Sequence, residues 1–249
     1  LTQRKPEKVR NKLLELTKEK LPAGYDMATH FTPSYNPWEQ RLCLVPDADL
    51  FEAIKSGKAE VVTDHVDHFD ETGIALKSGR HLDADIIVTA TGLKMEIMSG
   101  VELLVDGQPR RVGETFSYKG CMYSDIPNLA SSFGYSNASW TLKADLISEY
   151  VCRLLNHMRD GGTDICVAEP HGVGETGAGM MNLKSGYVQR AQGLVPKQGD
   201  IDPWIVHHNY TVDKKLMRYG KLEDGAMHFY KAKGAAKAAT VEAFAIAAE

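Results

Sequence analysis

Three stretches of this sequence hold residue types at spacings that suit chemistry. Arg41 closes a loop that carries Tyr35 and Trp38, just before Leu42-Cys43-Leu44-Val45-Pro46. A permanent planar cation beside aromatic walls can hold a developing oxyanion or a peroxide. The same arginine can equally be a surface group paired with Asp47 or Asp49, and spacing does not choose between these readings. Gly134-Tyr135-Ser136-Asn137-Ala138 has nearly the G-x-S-x-G form of a nucleophile elbow, with Ala in place of the last glycine. Ser136, a later Asp and His207 or His208 would give the Ser, Asp, His order of an α/β-hydrolase. The competing reading is a turn of small residues that lets a helix N-terminus approach a ligand closely. Ala90-Thr91-Gly92 ends the β-branched run from Asp85. Small residues at the C-terminal end of a strand allow close backbone approach, where open α/β sheets bind cofactors.

Other motifs read as structure. Gly172-Val173-Gly174-Glu175-Thr176-Gly177 matches G-x-G-x-x-G, but Gly179 and Gly186 interrupt the helix that a dinucleotide site needs. It is read as a flexible, glycine-rich loop. His65 and His68 are three apart on a strand and point to opposite faces, and the neighbours His207 and His208 diverge, so all four are read as solvated or hydrogen-bonding histidines. Cys43, Cys121, Cys152 and Cys166 lack close pairs, which fits reduced, mostly buried thiols better than zinc or disulfides.

The elements that must position these groups follow from periodicity. Val9, Leu13 and Leu16 predict a helix over 7–20, ended by Pro22 and Gly24. Residues 25–39 form an aromatic, proline-punctuated loop. Strands are predicted at 60–63, 74–77 and 85–92, the last buried on both faces, with turns at 70–73 and 78–80. Asp106-Gly107 predicts a hairpin between 101–105 and 109–112. A buried strand at 129–133 leads through the turn to a long helix over 139–158. Its apolar stripe is Trp140, Ala144, Ile147, Val151, Leu154 and Met158, with Glu149 and Arg153 paired on its outer face. A strand at 164–168, helix over much of 203–219 and a last strand at 227–230 complete the pattern. Residues 231–249 are an Ala-rich tail.

Composition limits the function. The 249 residues are 43% hydrophobic and 25% charged, which is ordinary for a globular protein. The net charge of −4 argues against nucleic-acid binding, which needs a basic surplus. No apolar run reaches the roughly 18 residues of a membrane span, and no signal peptide is recognisable, so a cytoplasmic setting is expected. The first residue is Leu1 rather than Met, which suggests a piece of a longer protein.

Taken together, several segments resemble one family. Pro33-Ser34-Tyr35-Asn36-Pro37-Trp38-Glu39-Gln40-Arg41-Leu42-Cys43 is similar to the active-site loop of flavin-dependent Baeyer–Villiger monooxygenases, most closely the ethionamide-activating subgroup. Asp85 to Leu93 resembles the strand that returns the chain from the NADPH domain to the FAD domain. Ile126-Pro127-Asn128-Leu129 and Gly134 to Asp145 resemble the segment that sets a helix N-terminus at the flavin. Pro196-Lys197-Gln198-Gly199 and Trp204 continue the likeness, which covers roughly residues 5–230.

The resemblance implies an α/β fold, the C-terminal portion of a flavoprotein with two dinucleotide-binding domains, for FAD and NADP. Residues 1–91 would complete the NADPH-binding domain with its active-site loop and β-meander, and residues 92–230 the FAD-binding domain. It implies FAD and NADPH as cofactors and a C4a-peroxyflavin that inserts one oxygen of O2 into a ketone or thioether. No metal is implied. Arg41 would be catalytic, with Tyr35 and Trp38 as pocket walls. Ala90, Thr91, Gly92, Asn137, Ala138, Ser139, Trp140, Thr141 and Leu142 would line the cofactor, and Ser136 would be a turn residue. The family's two G-x-G-x-x-G motifs are absent from their expected places. The fragment alone is therefore expected to be inactive and to bind little flavin. An inactive truncated product and the hydrolase remain the alternatives.

Overall fold

Pro6 opens helix α1 (Pro6–Lys20) in its first turn, where its missing N–H costs nothing. The computed structural model describes residues 2, 4–136, 138–181 and 183–232. These form two units: one comprises 1–95 with 183–190, the other 96–182 with 191–249, each in its described part.

In the first unit, Val9 and Leu13 half-bury one face of α1, while Leu16 lies exposed. The helical row continues at Thr17, four residues after Leu13, rather than at Leu16. Arg10 Nη2 donates to the Pro33 carbonyl at 2.8 Å and ties the helix to the aromatic loop. Within that loop Asp26 caps a one-turn helix, α2 (Met27–His30), by accepting from Thr29 N. A further helix, α3 (Asp49–Lys55), buries Ile54. The meander is antiparallel, with β1 (Val66–Phe69), β2 (Gly73–Leu76) and β3 (His81–Asp83) in that order.

Two expected strands in this unit differ. Residues 60–63 are not a strand, because the turn at 70–72 pairs β2 with the residues immediately before it, Phe69 with Ile74. Residues 85–92 form no strand, and Ile86 and Val88 are 83% and 84% exposed. No described strand runs beside them to take up their backbone groups, so no ladder forms.

The second unit begins with the hairpin β4 (Leu103–Val105) and β5 (Gln108–Arg110). Asp106 and Gly107 both have positive φ, the conformation a two-residue turn requires. Strands β6 (Ser117–Tyr118) and β7 (Met122–Tyr123) follow. Helix α4 (Trp140–Gly161) is the longest element, and Gly162 caps it in the left-handed conformation. Strand β8 (Ile165–Ala168) pairs with β11 (Met227–Tyr230), and β9 (Glu175–Gly179) pairs with β10 (Lys197–Gly199). The glycine-rich loop is thus partly a strand. The core gathers Tyr118, Met122, Leu146, Tyr150, Trp204 and Met217.

Here too some expectations fail. Residues 129–133 make one bridge, Ala130 to Met122, and no strand. In α4 the buried face is Lys143, Leu146, Ile147, Tyr150, Leu154 and Met158, and Trp140 is exposed. Glu149 pairs with Arg218 instead of Arg153, whose guanidinium donates to the carbonyls of Met217 and Gly220. The supposed outer face is covered by the helix Tyr210–Lys214 and its π-helical continuation Lys215–Tyr219. Residues 203–209 are not helical. Cys121 and Cys166 are buried and Cys43 and Cys152 exposed, all four as free thiols.

The described residues therefore form a mixed helix and strand structure, as expected of an α/β chain, and every paired strand among them is antiparallel. No helix among them is long and apolar enough to cross a membrane.

Candidate functional site

The turn before α4 is held from behind by buried charge. Tyr135 is buried and its hydroxyl donates to Asp213 Oδ2 at 2.7 Å. Asp213 Oδ1 lies 3.1 Å from Lys143 Nζ, and that ammonium also donates to the Lys119 carbonyl at 3.2 Å. Burial and the bond to Asp213 push the Tyr135 phenol well above its ordinary range. The phenol therefore stays protonated and acts as a fixed donor. Gly120, Tyr135, Lys143, Val206, His208 and Asp213 line a small cavity here.

The turn itself is glycine-dependent. A Cβ on Gly134 would stand 2.3 Å from Trp140 Cγ, so only glycine lets the indole fold back over the backbone. Phe133 flanks the same ring, with centroids 5.0 Å apart.

Beyond the turn the chain faces outward. Ala138, Ser139, Trp140, Thr141 and Leu142 are all exposed. Ser139 occupies the N-cap position but makes no capping bond, and its hydroxyl meets Thr141 Oγ1 instead. A 22-residue helix thus starts without a side-chain cap and without an acid in its first turn. Its leading N–H groups and positive dipole end are suited to an acceptor-rich, electron-gaining ligand. Asn137 lies outside the described residues.

The nucleophile elbow is not built. Ser136 is buried, no strand precedes its turn, and its Oγ lies 3.4 Å from His208 Nδ1. His208 Nε2 is held by the Met180 carbonyl at 2.8 Å, where a triad would place a carboxylate. Burial lowers the His208 pKa, so the ring is neutral near pH 7.

The loop of the first unit is also ordered locally. Glu39 Oε2 accepts from Asn36 N, and Lys184 reaches Glu39 through both its backbone N–H and its ammonium. Trp38 sits half-buried with φ at 70°, an uncommon conformation for an aromatic residue. Tyr35 and Arg41 are exposed. Among the described residues Arg41 has no ion pair or hydrogen bond, so the suggested pairing with Asp47 or Asp49 does not form. Ala90, Thr91 and Gly92 are exposed, outside any helix or strand, and Gly92 has φ at 106°. His68 and His207 do hydrogen-bond carboxylates, those of Asp67 and Asp202.

Sequence inspection did not single out Lys143, Asp213 or Tyr135 as a network. Lys143 offered one signal: it lies three and four residues before Leu146 and Ile147, on the apolar face of α4.

Comparison with known proteins adds to this geometry. A scan for protein families finds no match, and no solved structure matches. Curated proteins do. The FAD-containing monooxygenase EthA of Mycobacterium tuberculosis is 51% identical over 229 residues, 92% of this chain and 47% of its own length. EthA of Mycolicibacterium smegmatis is 45% identical over 240 residues, 96% of this chain and 49% of its own. A protein of Acinetobacter baylyi named "Probable FAD-binding monooxygenase AlmA" is 48% identical over 232 residues, 93% of this chain and 46% of its own. The chain is homologous to FAD-containing monooxygenases. It spans about half the length of the curated relatives it matches.

Proposed function

We propose that this chain is the C-terminal portion of an FAD-containing, NADPH-dependent monooxygenase that oxygenates ketones, as a Baeyer–Villiger enzyme, or thioethers. The observation that carries the reading is the start of α4, where Ala138 to Leu142 are exposed and uncapped. Ala90, Thr91, Gly92, Asn137, Ala138, Ser139, Trp140, Thr141 and Leu142 would be the cofactor-binding residues. Bound FAD, reduced by NADPH, supplies the activation of O2.

The chain's own residues supply position and charge. The first N–H groups of α4 favour negative charge at the ligand edge they face. The Lys143–Asp213–Tyr135 network fixes the turn from behind, so those N–H groups do not need to reorganise. Arg41, which has no ion pair or hydrogen bond among the described residues, is available to stabilise an anionic oxygen species near the substrate, with Tyr35 and Trp38 as walls. Residues 1–91 would complete the NADPH-binding domain and 92–230 the FAD-binding domain.

The test uses the full-length flavoprotein that this reading requires. Arg41→Ala should keep FAD bound while ketone or thioether oxygenation falls about 10²–10³-fold, the usual cost of one lost oxyanion contact. Wild-type turnover would remove Arg41 from the mechanism. The 249-residue chain alone should purify with little flavin absorbance, because the phosphate-binding glycine motifs are not in it.

A further inference from the structure

Among the described residues, His228 Nε2 is the one buried side-chain nitrogen or oxygen without a hydrogen-bond partner. Such a group carries an uncompensated desolvation penalty while it stays unpaired. The surroundings of His228 suggest what completes it.

The ladder of β8 and β11 sets His228 opposite Val167. The pairing runs one step past β8, because Glu169 N donates to the Ala226 carbonyl at 2.8 Å. Side chains alternate along a strand, so Val167, Glu169 and His228 share one face. A tight bend then returns the chain, with His171 N donating to the Glu169 carbonyl. His171 Nε2 comes within 2.9 Å of Glu169 Oε2, and the His171 and His228 rings meet edge to face at 6.0 Å. One ligand-capable atom from each of Glu169, His171 and His228 lies within 4.8 Å of the other two. The second carboxylate oxygen, Oε1, is held by the Tyr230 hydroxyl at 2.8 Å.

We propose that Glu169, His171 and His228 form a binding site for a divalent transition-metal ion of the zinc class, fastening β11 to the end of β8. Two imidazoles and one carboxylate are a ligand set that such ions take, with the fourth position left for water. The His171 side chain is 74% exposed, which gives the ion a route in. Tyr230 orients the carboxylate by holding the oxygen that does not ligate. His171 ligates through Nε2 once its proton resides on Nδ1, so the ion replaces the hydrogen bond to Glu169. The site shares no residue with the turn before α4.

Chelator-treated protein is titrated with Zn2+ by calorimetry and with Co2+ by visible absorption. One ion per chain is expected, with the Co2+ bands of a low-coordinate nitrogen and oxygen site. His228→Gln and His171→Ala should each abolish this binding, and Tyr230→Phe should weaken it about 10–100-fold. His157→Gln, which removes another exposed histidine–carboxylate pair with Glu223, should leave it unchanged. No stoichiometric binding, or binding that survives His171→Ala, overturns the site. His171 is a surface residue, so that variant decides the matter even if His228→Gln fails to fold.

Discussion

Lys143 Nζ and Asp213 Oδ1 meet at 3.1 Å with side chains only 4% and 5% exposed, directly behind the start of the longest helix. Two buried opposite charges this close offset part of each other's desolvation cost, and removing one partner leaves the other without compensation. Removing one should therefore be far worse than removing both. Lys143→Met or Asp213→Asn should each cost about 3–5 kcal/mol in denaturant unfolding. The triple variant Lys143→Met, Asp213→Leu, Tyr135→Phe should recover most of that loss. Equal losses in the single and triple variants would show that the pair is not the source.

His208 should make stability fall on acidification. Its folded pKa lies below its ordinary value because the ring is buried. Above about pH 6.5, the unperturbed value, both states are neutral and nothing is lost. As pH falls below that, the unfolded chain takes a proton that the folded chain refuses, and stability declines until the folded pKa is reached. His208→Gln should flatten this part of the stability–pH profile. An unchanged slope would assign the effect to another group.

Gly134→Ala should disturb the turn selectively. The new methyl would collide with the Trp140 indole, and forced overpacking of this kind costs about 1–3 kcal/mol. Near-ultraviolet circular dichroism should report the displaced indole. A variant with native stability and an unchanged aromatic spectrum would contradict the close contact.

Ile86→Lys and Val88→Lys should raise the soluble fraction of the chain. Both residues are exposed in an unpaired, apolar, β-branched run, the kind of segment that recruits a foreign strand. Folding stability should stay within about 0.5 kcal/mol, as for other surface changes. A large loss of stability would mean that the two side chains are covered in solution.

The same run shows where sequence reading stops. Its β-branched residues do predict extended backbone at 85–92, but a strand needs a neighbour, and composition says nothing about whether one is present. Helix α4 is clear from its period and from Gly162, whereas its partner Arg218 is not, since that pair spans a long stretch of sequence. Lys143 carries the same lesson at the candidate site. Its place on the apolar face could be read, but its acid Asp213 is brought to it only by the fold. Glu169, His171 and His228 were equally hidden, because what unites them is the register of two strands. Local structure written in consecutive residues, such as the turn that leads into α4, was the easiest to read.

Tyr230 hydrogen-bonds to a glutamate 61 positions earlier, in the ladder that closes β11 onto β8. On the ribosome, β8 would emerge and wait while all the intervening sequence is made. Its free edge is satisfied only after residue 230 has cleared the exit tunnel, so this unit cannot complete its folding before that point. A nascent chain stalled at Gly225 would still present that edge to chaperones.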